Sequence, residues 1–258
     1  MSSKINEIIR NQGFLLGSWI NSGSPIVSEI MANTGLDFLT IDLEHSTVDV
    51  EKSLSIFQAI KAGNSNCLPF VRLAGNEYSQ TKRFLDAGAE GVIAPLINSG
   101  HDAKVLLDSV KFPPVGKRGV GYGRSSSYGF DIDKYFATAN EETFVCVQIE
   151  HIKAVENIDE IFSVDGIDAA FIGPYDLSAS MGITAQWENK RYLDTRDLIL
   201  KKCEEYNILA GVHVVQPKIE QALSMIKSGF KIIAYTLDIT LIGYYYRDAV
   251  NKIKRGIK

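Results

Sequence analysis

Thr34-Gly35-Leu36-Asp37-Phe38-Leu39-Thr40-Ile41-Asp42 closes a helix on a glycine and runs directly into a short apolar strand. The same unit returns at Ala87-Gly88-Ala89-Glu90-Gly91 and at Lys227-Ser228-Gly229-Phe230. A glycine after a helix accepts the left-handed conformation that ends the helix, and a strand then follows within a few residues. Working outward from these units, short apolar runs alternate with stretches of helical periodicity. Strands are predicted at Leu15–Ile20, Phe38–Asp42, Cys67–Val71, Gly91–Ala94, Thr143–Ile149, Ala169–Ile172, Ile208–His213 and Ile232–Tyr235. Helices fall between them. Pro25–Asn33 has Ser24 as its N-cap and Pro25 in its first turn, and Val50–Ala62 places Leu54, Phe57 and Ile60 on one face. Tyr78–Ala87 and Gln216–Lys227 each run up to a glycine unit. Eight apolar strands that need cover on both faces predict an α/β fold, a (β/α)8 TIM barrel, with a doubly wound open sheet as the competing topology. Phe112 to Asn140 breaks the rhythm. A connection of that length, rich in glycine, serine and tyrosine, is expected to be an active-site or interface loop.

The bounds agree with one barrel domain over residues 1–258, since such barrels take ~250 residues. At 45% hydrophobic and 22% charged, the composition is that of an ordinary globular chain. A net charge of −4 without a basic stripe argues against a nucleic-acid partner. Cys67, Cys146 and Cys203 are odd in number and share no C-x-x-C spacing, which argues against disulfides or a zinc site. Met1 to Gln12 is polar with no apolar leader core, and no apolar run is long enough for a membrane span. A cytoplasmic protein is expected.

In such a barrel the C-terminal strand ends gather on one rim, where active sites are built. That rim is predicted to carry Ile41-Asp42-Leu43-Glu44-His45, Arg72, Gln148-Ile149-Glu150 and Gly173-Pro174-Tyr175-Asp176. Glu150 and Asp176 follow neighbouring strands, ~4.8 Å apart, and two carboxylates so placed repel each other unless a cation intervenes. Oxygen-only ligation suits Mg²⁺ or Mn²⁺ better than zinc. The bland alternative is a pair of solvated loop carboxylates. Arg72 at the end of an apolar strand needs an anion, either a small carboxylate substrate or a rim carboxylate such as Glu44. Histidine is the residue type suited to general-base work, so His45 is a natural general base, or else a hydrogen-bonded structural residue. Asp42 and Glu44 beside it could fix its tautomer. His101 and His151 read as surface residues, and His213 points to the rim without an obvious partner. Gly173-Pro174 offers a turn whose N–H groups could cradle a carboxylate. Arg118-Gly119-Val120-Gly121-Tyr122-Gly123-Arg124 fails as a dinucleotide loop: arginine occupies the third glycine position and no strand precedes it.

Ile41-Asp42-Leu43-Glu44-His45, Phe112-Pro113-Pro114-Val115-Gly116-Lys117-Arg118-Gly119, Gln148-Ile149-Glu150 and Phe171-Ile172-Gly173-Pro174-Tyr175-Asp176-Leu177-Ser178 together resemble the HpcH/HpaI family of class II 2-oxo acid aldolases. The resemblance runs from about Gly13 to the C-terminus. It implies a (β/α)8 barrel, commonly assembled as a hexamer of dimers that swap their C-terminal helices. It implies metal ligation by Glu150 and Asp176 with Mg²⁺, Mn²⁺ or Co²⁺. Arg72 and Gln148 would contact the pyruvyl group, and the backbone from Gly173 through Pro174 and Tyr175 to Asp176 would bind its carboxylate. His45 would be the catalytic base with Asp86 as its partner, although Asp86 by itself reads as a helix-end surface residue.

The implied reaction joins pyruvate and an aldehyde, or cleaves a 4-hydroxy-2-oxo acid, through a metal-stabilised enolate. Tyr175, His213 and the bulky strand eight Ala234-Tyr235-Thr236-Leu237-Asp238 depart from the family pattern, and all three touch the aldehyde side. A lyase acting on an acyl-CoA or phosphoenolpyruvate-type substrate is a second reading, with Lys117, Arg118 and Arg124 as candidate phosphate contacts. A third is a non-catalytic 2-oxo acid binding protein, and a Schiff-base aldolase is disfavoured because no lysine ends a strand. Apolar positions on more than one face of Leu241 to Lys254 point to packing against another subunit, though a barrel must also dock its own last helix.

Overall fold

The computed structural model describes residues 2–256, so the first position and the last two of the expected domain lie outside the described residues. The chain opens with helix α1 (Ser3–Gln12), then β1 (Leu15–Ile20), α2 (Pro25–Ala32), β2 (Phe38–Asp42), α3 (Val50–Gly63), β3 (Leu68–Arg72) and α4 (Tyr78–Ala87). It continues through β4 (Gly91–Ala94), α5 (Gly100–Val110), α6 (Ile132–Glu142), β5 (Phe144–Ile149), α7 (Ile152–Glu156) and α8 (Ile158–Phe162). The last part is β6 (Ala169–Ile172), α9 (Pro174–Ser180), α10 (Lys190–Glu205), β7 (Leu209–Val214), α11 (Ile219–Lys227), β8 (Ile232–Leu237) and α12 (Asp238–Gly256). The strands close in sequence order, each pairing in parallel with the next and β8 with β1. The expected (β/α)8 barrel is therefore the fold.

Alternation along each strand sorts the side chains. Leu39, Ile41, Val71, Val145, Val147 and Ile172 point outward into the layer between strands and helices. Phe38, Phe70, Phe144 and Phe171 point inward and fill the barrel with Trp19. Gly91 makes room there: a Cβ on it would meet Phe70 at 2.8 Å and Phe144 at 2.9 Å. The same parity, followed to the strand ends, turns Asp42, Arg72, Gln148 and His213 inward at the rim. Three glycine-terminated helices were legible because Gly35, Gly88 and Gly229 all sit at positive φ.

Three features differ from expectation. Residues 3–12 form α1, whose Ile5 is 1% exposed and closes the barrel's lower end among Leu15 and Phe38. Its apolar residues, Ile5, Ile8 and Ile9, are spaced for one helical face, a periodicity outweighed by the polar composition around it. Strand β8 extends two residues further, to Leu237, and α12 begins at Asp238. Most importantly, residues 112–140 link the end of α5 to the start of β5, so they lie at the N-terminal end of the barrel. They form a single turn at Arg124–Gly129 and most of α6. This corrects the active-site-loop expectation for the chain's own rim. Arg118 is buried there, 4.4 Å from the Phe112 ring centroid, and Lys111 donates to the carbonyls of Asn140 and Thr143.

Candidate active site

Asp42 organises the β2–β3 side of the rim. The pairing register sets it opposite Arg72, and the two join side-on: Arg72 Nε donates to Oδ1 at 2.9 Å and Nη2 to Oδ2 at 2.7 Å. Asn21 Nδ2 also donates to Oδ2, at 2.8 Å, and the Glu44 and His45 N–H groups donate to Oδ1. Burial by itself would raise the Asp42 carboxyl, but the bonds and charge of Arg72 hold it below the usual carboxylate range. Arg72 Nη1 lies 3.1 Å from Glu44 Oε2, and the guanidinium stacks 4.4 Å above Trp19. Of the two readings of Arg72, the structure shows the rim-carboxylate one. Asp42 takes two of its five N–H groups, Glu44 adds an ion-pair contact, and the other N–H groups make no hydrogen bond among the described residues.

Glu150 is 4% exposed, one residue past β5. Its Oε1 accepts from the Leu96 N–H at 2.7 Å, and its Oε2 from Gln148 Nε2. Leu96 holds φ at 58°, a left-handed conformation that side chains disfavour, so local strain aims this N–H. Burial pushes the Glu150 carboxyl up to about 7, helped by the nearby negative charges of Glu44 and Asp176 against the bond from Leu96. Gln148, also 4% exposed, has no partner for Oε1 among the described residues. A Cβ on Gly173 would stand 2.7 Å from the Glu150 Cβ and 3.1 Å from Gln148 Nε2, so only glycine lets the β6–α9 turn come this close.

That turn alters the proposed carboxylate cradle. The Gly173 N–H donates to the Ile149 carbonyl at 3.2 Å, and Pro174 has no N–H. The groups left over are the N–H of Tyr175 and of Asp176, which lack intrahelical acceptors in the first turn of α9. Asp176 is exposed, and Tyr175 lies edge-on to Trp187, ring centroids 4.8 Å apart.

His45 stands exposed on the rim, its Nε2 3.9 Å from Glu44 Oε2. Asp86 is elsewhere. It lies near the C-terminus of α4, at the opposite end of the barrel, and accepts from Arg118 Nη2 at 2.7 Å. The chain does not bring Asp86 to its own His45. His213, for which sequence offered no partner, has Nε2 3.1 Å from the Thr236 carbonyl and stacks on Trp19 at 5.2 Å. Trp19, Asn21 and Leu96 escaped the sequence reading altogether. Strand parity could have found Trp19, while nothing local marks Leu96.

The rim holds a cavity of about 460 Å³, lined by Asp42, His45, Arg72, Gln148, Asp176 and His213 among others. A second cavity of about 440 Å³ adjoins it beyond Tyr175. Among the described residues there is no group of three or more His, Cys, Asp or Glu side chains arranged as a metal cluster. Two carboxylates, completed by water and substrate oxygens, nevertheless match the donor set that Mg²⁺ accepts. A carboxyl raised by burial and by two like charges is also the group that a cation would relieve. The residues present fit a divalent ion.

The HpcH/HpaI aldolase/citrate lyase family model matches residues 15–243, from β1 into α12. The chain belongs to this family. A hydroxypyruvate/pyruvate aldolase from Roseobacter denitrificans is 34% identical over 94% of this chain and 93% of its own length. A 2-keto-3-deoxy-L-rhamnonate aldolase from Salmonella gallinarum is 38% identical over 70% of this chain and 68% of its own. A crystal structure of an HpcH/HpaI aldolase/citrate lyase family protein from Burkholderia cenocepacia J2315 superposes with a TM-score of 0.91. That protein is 28% identical, and the match covers 98% of this chain and all of the other. The family expected from the four motifs is borne out, and with it the aldolase class of carbon–carbon lyase.

Proposed function

We propose that this HpcH/HpaI aldolase is divalent-metal-dependent and cleaves or forms 4-hydroxy-2-oxo acids through the enolate of pyruvate. The observation that carries this is Glu150, buried beside Asp176 with its carboxyl raised to about 7, in a rim that also holds Gln148 and Arg72. Glu150 and Asp176 would hold a Mg²⁺ or Mn²⁺ ion, or Co²⁺, which would supply Lewis acidity toward the 2-oxo acid. Arg72, fixed by Asp42, presents its remaining N–H groups where negative charge develops on the keto oxygen. Gln148 orients the pyruvyl group, and the Tyr175 and Asp176 N–H groups donate to its carboxylate. In cleavage His45 removes the C4-hydroxyl proton, the C3–C4 bond breaks, and the aldehyde leaves from pyruvate enolate.

Asp86 partners His45 across subunits, since within one chain the two sit at opposite ends of the barrel. A homo-oligomer, hexameric in the family pattern, is supported by α12. Tyr245, Tyr246 and Ile253 on it are 70%, 72% and 63% exposed, and Ile26 and Ile30 of α2 are bare as well. Hydrophobic area of that extent is usually covered by a partner. Light scattering is expected to show an assembly larger than a monomer. Among the described residues no helix is long and apolar enough to cross a membrane. A reducing, cytoplasmic setting accords with three free, buried cysteines.

A coenzyme A thioester is less well served, because Arg118 is buried and committed to Asp86 and Lys117 is paired with Asp108. Among the described residues, no lysine lines the rim cavity to form a Schiff base. Pyruvate offered with a panel of aldehydes, with Mg²⁺ or Mn²⁺ and with EDTA, tests the proposal. Carbon–carbon bond formation that EDTA abolishes is expected, and the absence of any product would refute it.

A further inference from the structure

His213 is held more tightly than a cavity-lining residue requires. It is the third inward position of β7, two residues beyond Gly211, and its Nε2 lies 3.1 Å from the Thr236 carbonyl. A carbonyl oxygen only accepts, so in the neutral ring Nε2 carries the proton and Nδ1 keeps its lone pair. Burial lowers the His213 pKa to about 4, which makes the neutral ring the form present at neutral pH. The carbonyl that sets this tautomer is itself specially placed. Thr236 has φ at 49°, in the left-handed region, and the β1–β8 register shifts between Gly17 and Trp19 beside it. The same carbonyl also accepts from Ser18 Oγ at 3.2 Å. The imidazole plane is fixed in turn by Trp19, stacked at 5.2 Å and 23°, whose indole also underlies Arg72. No hydrogen bond to Nδ1 is present among the described residues, and His213 on β7 lines the same cavity as Gln148 and Arg72, four strands round the barrel from Arg72 on β3.

An acceptor nitrogen with one tautomer and a fixed ring plane selects a donor. On the aldolase reading, the part of the ligand that reaches β7, β8 and β1 is the half remote from the pyruvyl group. We infer that His213 is a specificity-determining residue whose Nδ1 accepts a hydrogen bond from a hydroxyl of the aldehyde, so that the acceptor is a hydroxyaldehyde of the sugar type. A plain alkyl aldehyde would desolvate Nδ1 and leave it unpaired, and that lost bond is the basis of discrimination.

The inference rests on the aldolase reading, and a ratio separates the two. The kcat/KM for glyceraldehyde is divided by that for propanal, which has the same carbon count and no hydroxyl, with pyruvate as donor. Wild type is expected to favour glyceraldehyde. His213→Phe, which keeps a ring on Trp19 but removes the acceptor, lowers the ratio roughly tenfold, as loss of one neutral hydrogen bond should. His213→Gln, which retains an acceptor, keeps most of it. Because both rates come from one protein sample, partial loss of folded enzyme cancels. A wild-type preference for propanal, or an unchanged ratio in His213→Phe, overturns the inference while leaving the aldolase reading intact. Turnover of neither aldehyde by wild type refutes the aldolase reading and the inference with it.

Discussion

From β2 round to β6 the rim is charged and hydrogen-bonded, whereas from β7 through β8 to β1 it is aromatic and stacked. In the first arc Asp42, Arg72, Glu44, Gln148 and Glu150 hold one another at short range. In the second, Trp19 and His213 hold their places by ring contact and by one strained carbonyl. The difference teaches how the two halves of a two-substrate site can be tuned separately. On the proposed mechanism the charged arc fixes the reacting end, where developing charge needs preorganised partners. The stacked arc presents rings to the cavity, and its one buried carboxylate, Asp238, is taken up by the Asn21 and Ser22 N–H groups. Trp19 is the hinge between them, since Arg72 and His213 lie on the same indole.

If the charged arc carries the chemistry, its substitutions should cost most. His45→Ala is expected to lower kcat by roughly 10³-fold, within the usual range for loss of a general base. Asp86→Asn should be similarly impaired, and mixing these two inactive proteins under subunit-exchange conditions should recover activity. Failure to recover would remove Asp86 from the site. Glu150→Gln, close in shape, is expected to lower kcat/KM by more than about a hundredfold and to weaken Mn²⁺ binding measured by calorimetry. Arg72→Met leaves the Asp42 carboxylate buried and unpaired, so urea denaturation should show a loss of about 3 kcal/mol. Adding Asp42→Asn should restore part of that stability but none of the activity.

The stacked arc predicts a smaller and different signature. The folded-state pKa of His213, about 4, lies below the ordinary 6.5. Between those values the unfolded chain binds the extra proton and the folded chain does not, so stability falls as pH drops from about 6.5 toward 4. Comparing urea midpoints of wild type and His213→Phe across this window should show that slope reduced in the variant. The difference is on the order of 2 kcal/mol once partial exposure is allowed for. An identical pH slope in both proteins would mean that His213 is not the buried neutral group described.

The two arcs also differ in how far sequence reveals them. Asp42, Arg72, Gln148 and Glu150 stand at the ends of apolar strands, where a charged or amide residue is conspicuous and strand parity says which way it points. Glycine-closed helices made the barrel itself legible. His213 was visible as a residue but not as a bonded group, because its partner carbonyl lies on β8 and depends on a left-handed threonine that no local pattern announces. Leu96 is hidden for the same reason: its contribution is a strained backbone N–H. Residues 112–140 were marked as special by length and composition, yet their end of the barrel follows only from tracking that they enter a strand instead of leaving one. Asp86 shares that end, so the proposed pairing with His45 requires a second copy of the chain.

Exchange of the pyruvate C3 protons in D₂O, followed by NMR without any aldehyde, tests the charged arc most directly. Loss of the methyl signal is expected with protein and Mg²⁺ or Mn²⁺, stopping with EDTA and in Glu150→Gln. No exchange, or exchange indifferent to both EDTA and Glu150→Gln, would contradict a metal-dependent enolate site at Glu150 and Asp176.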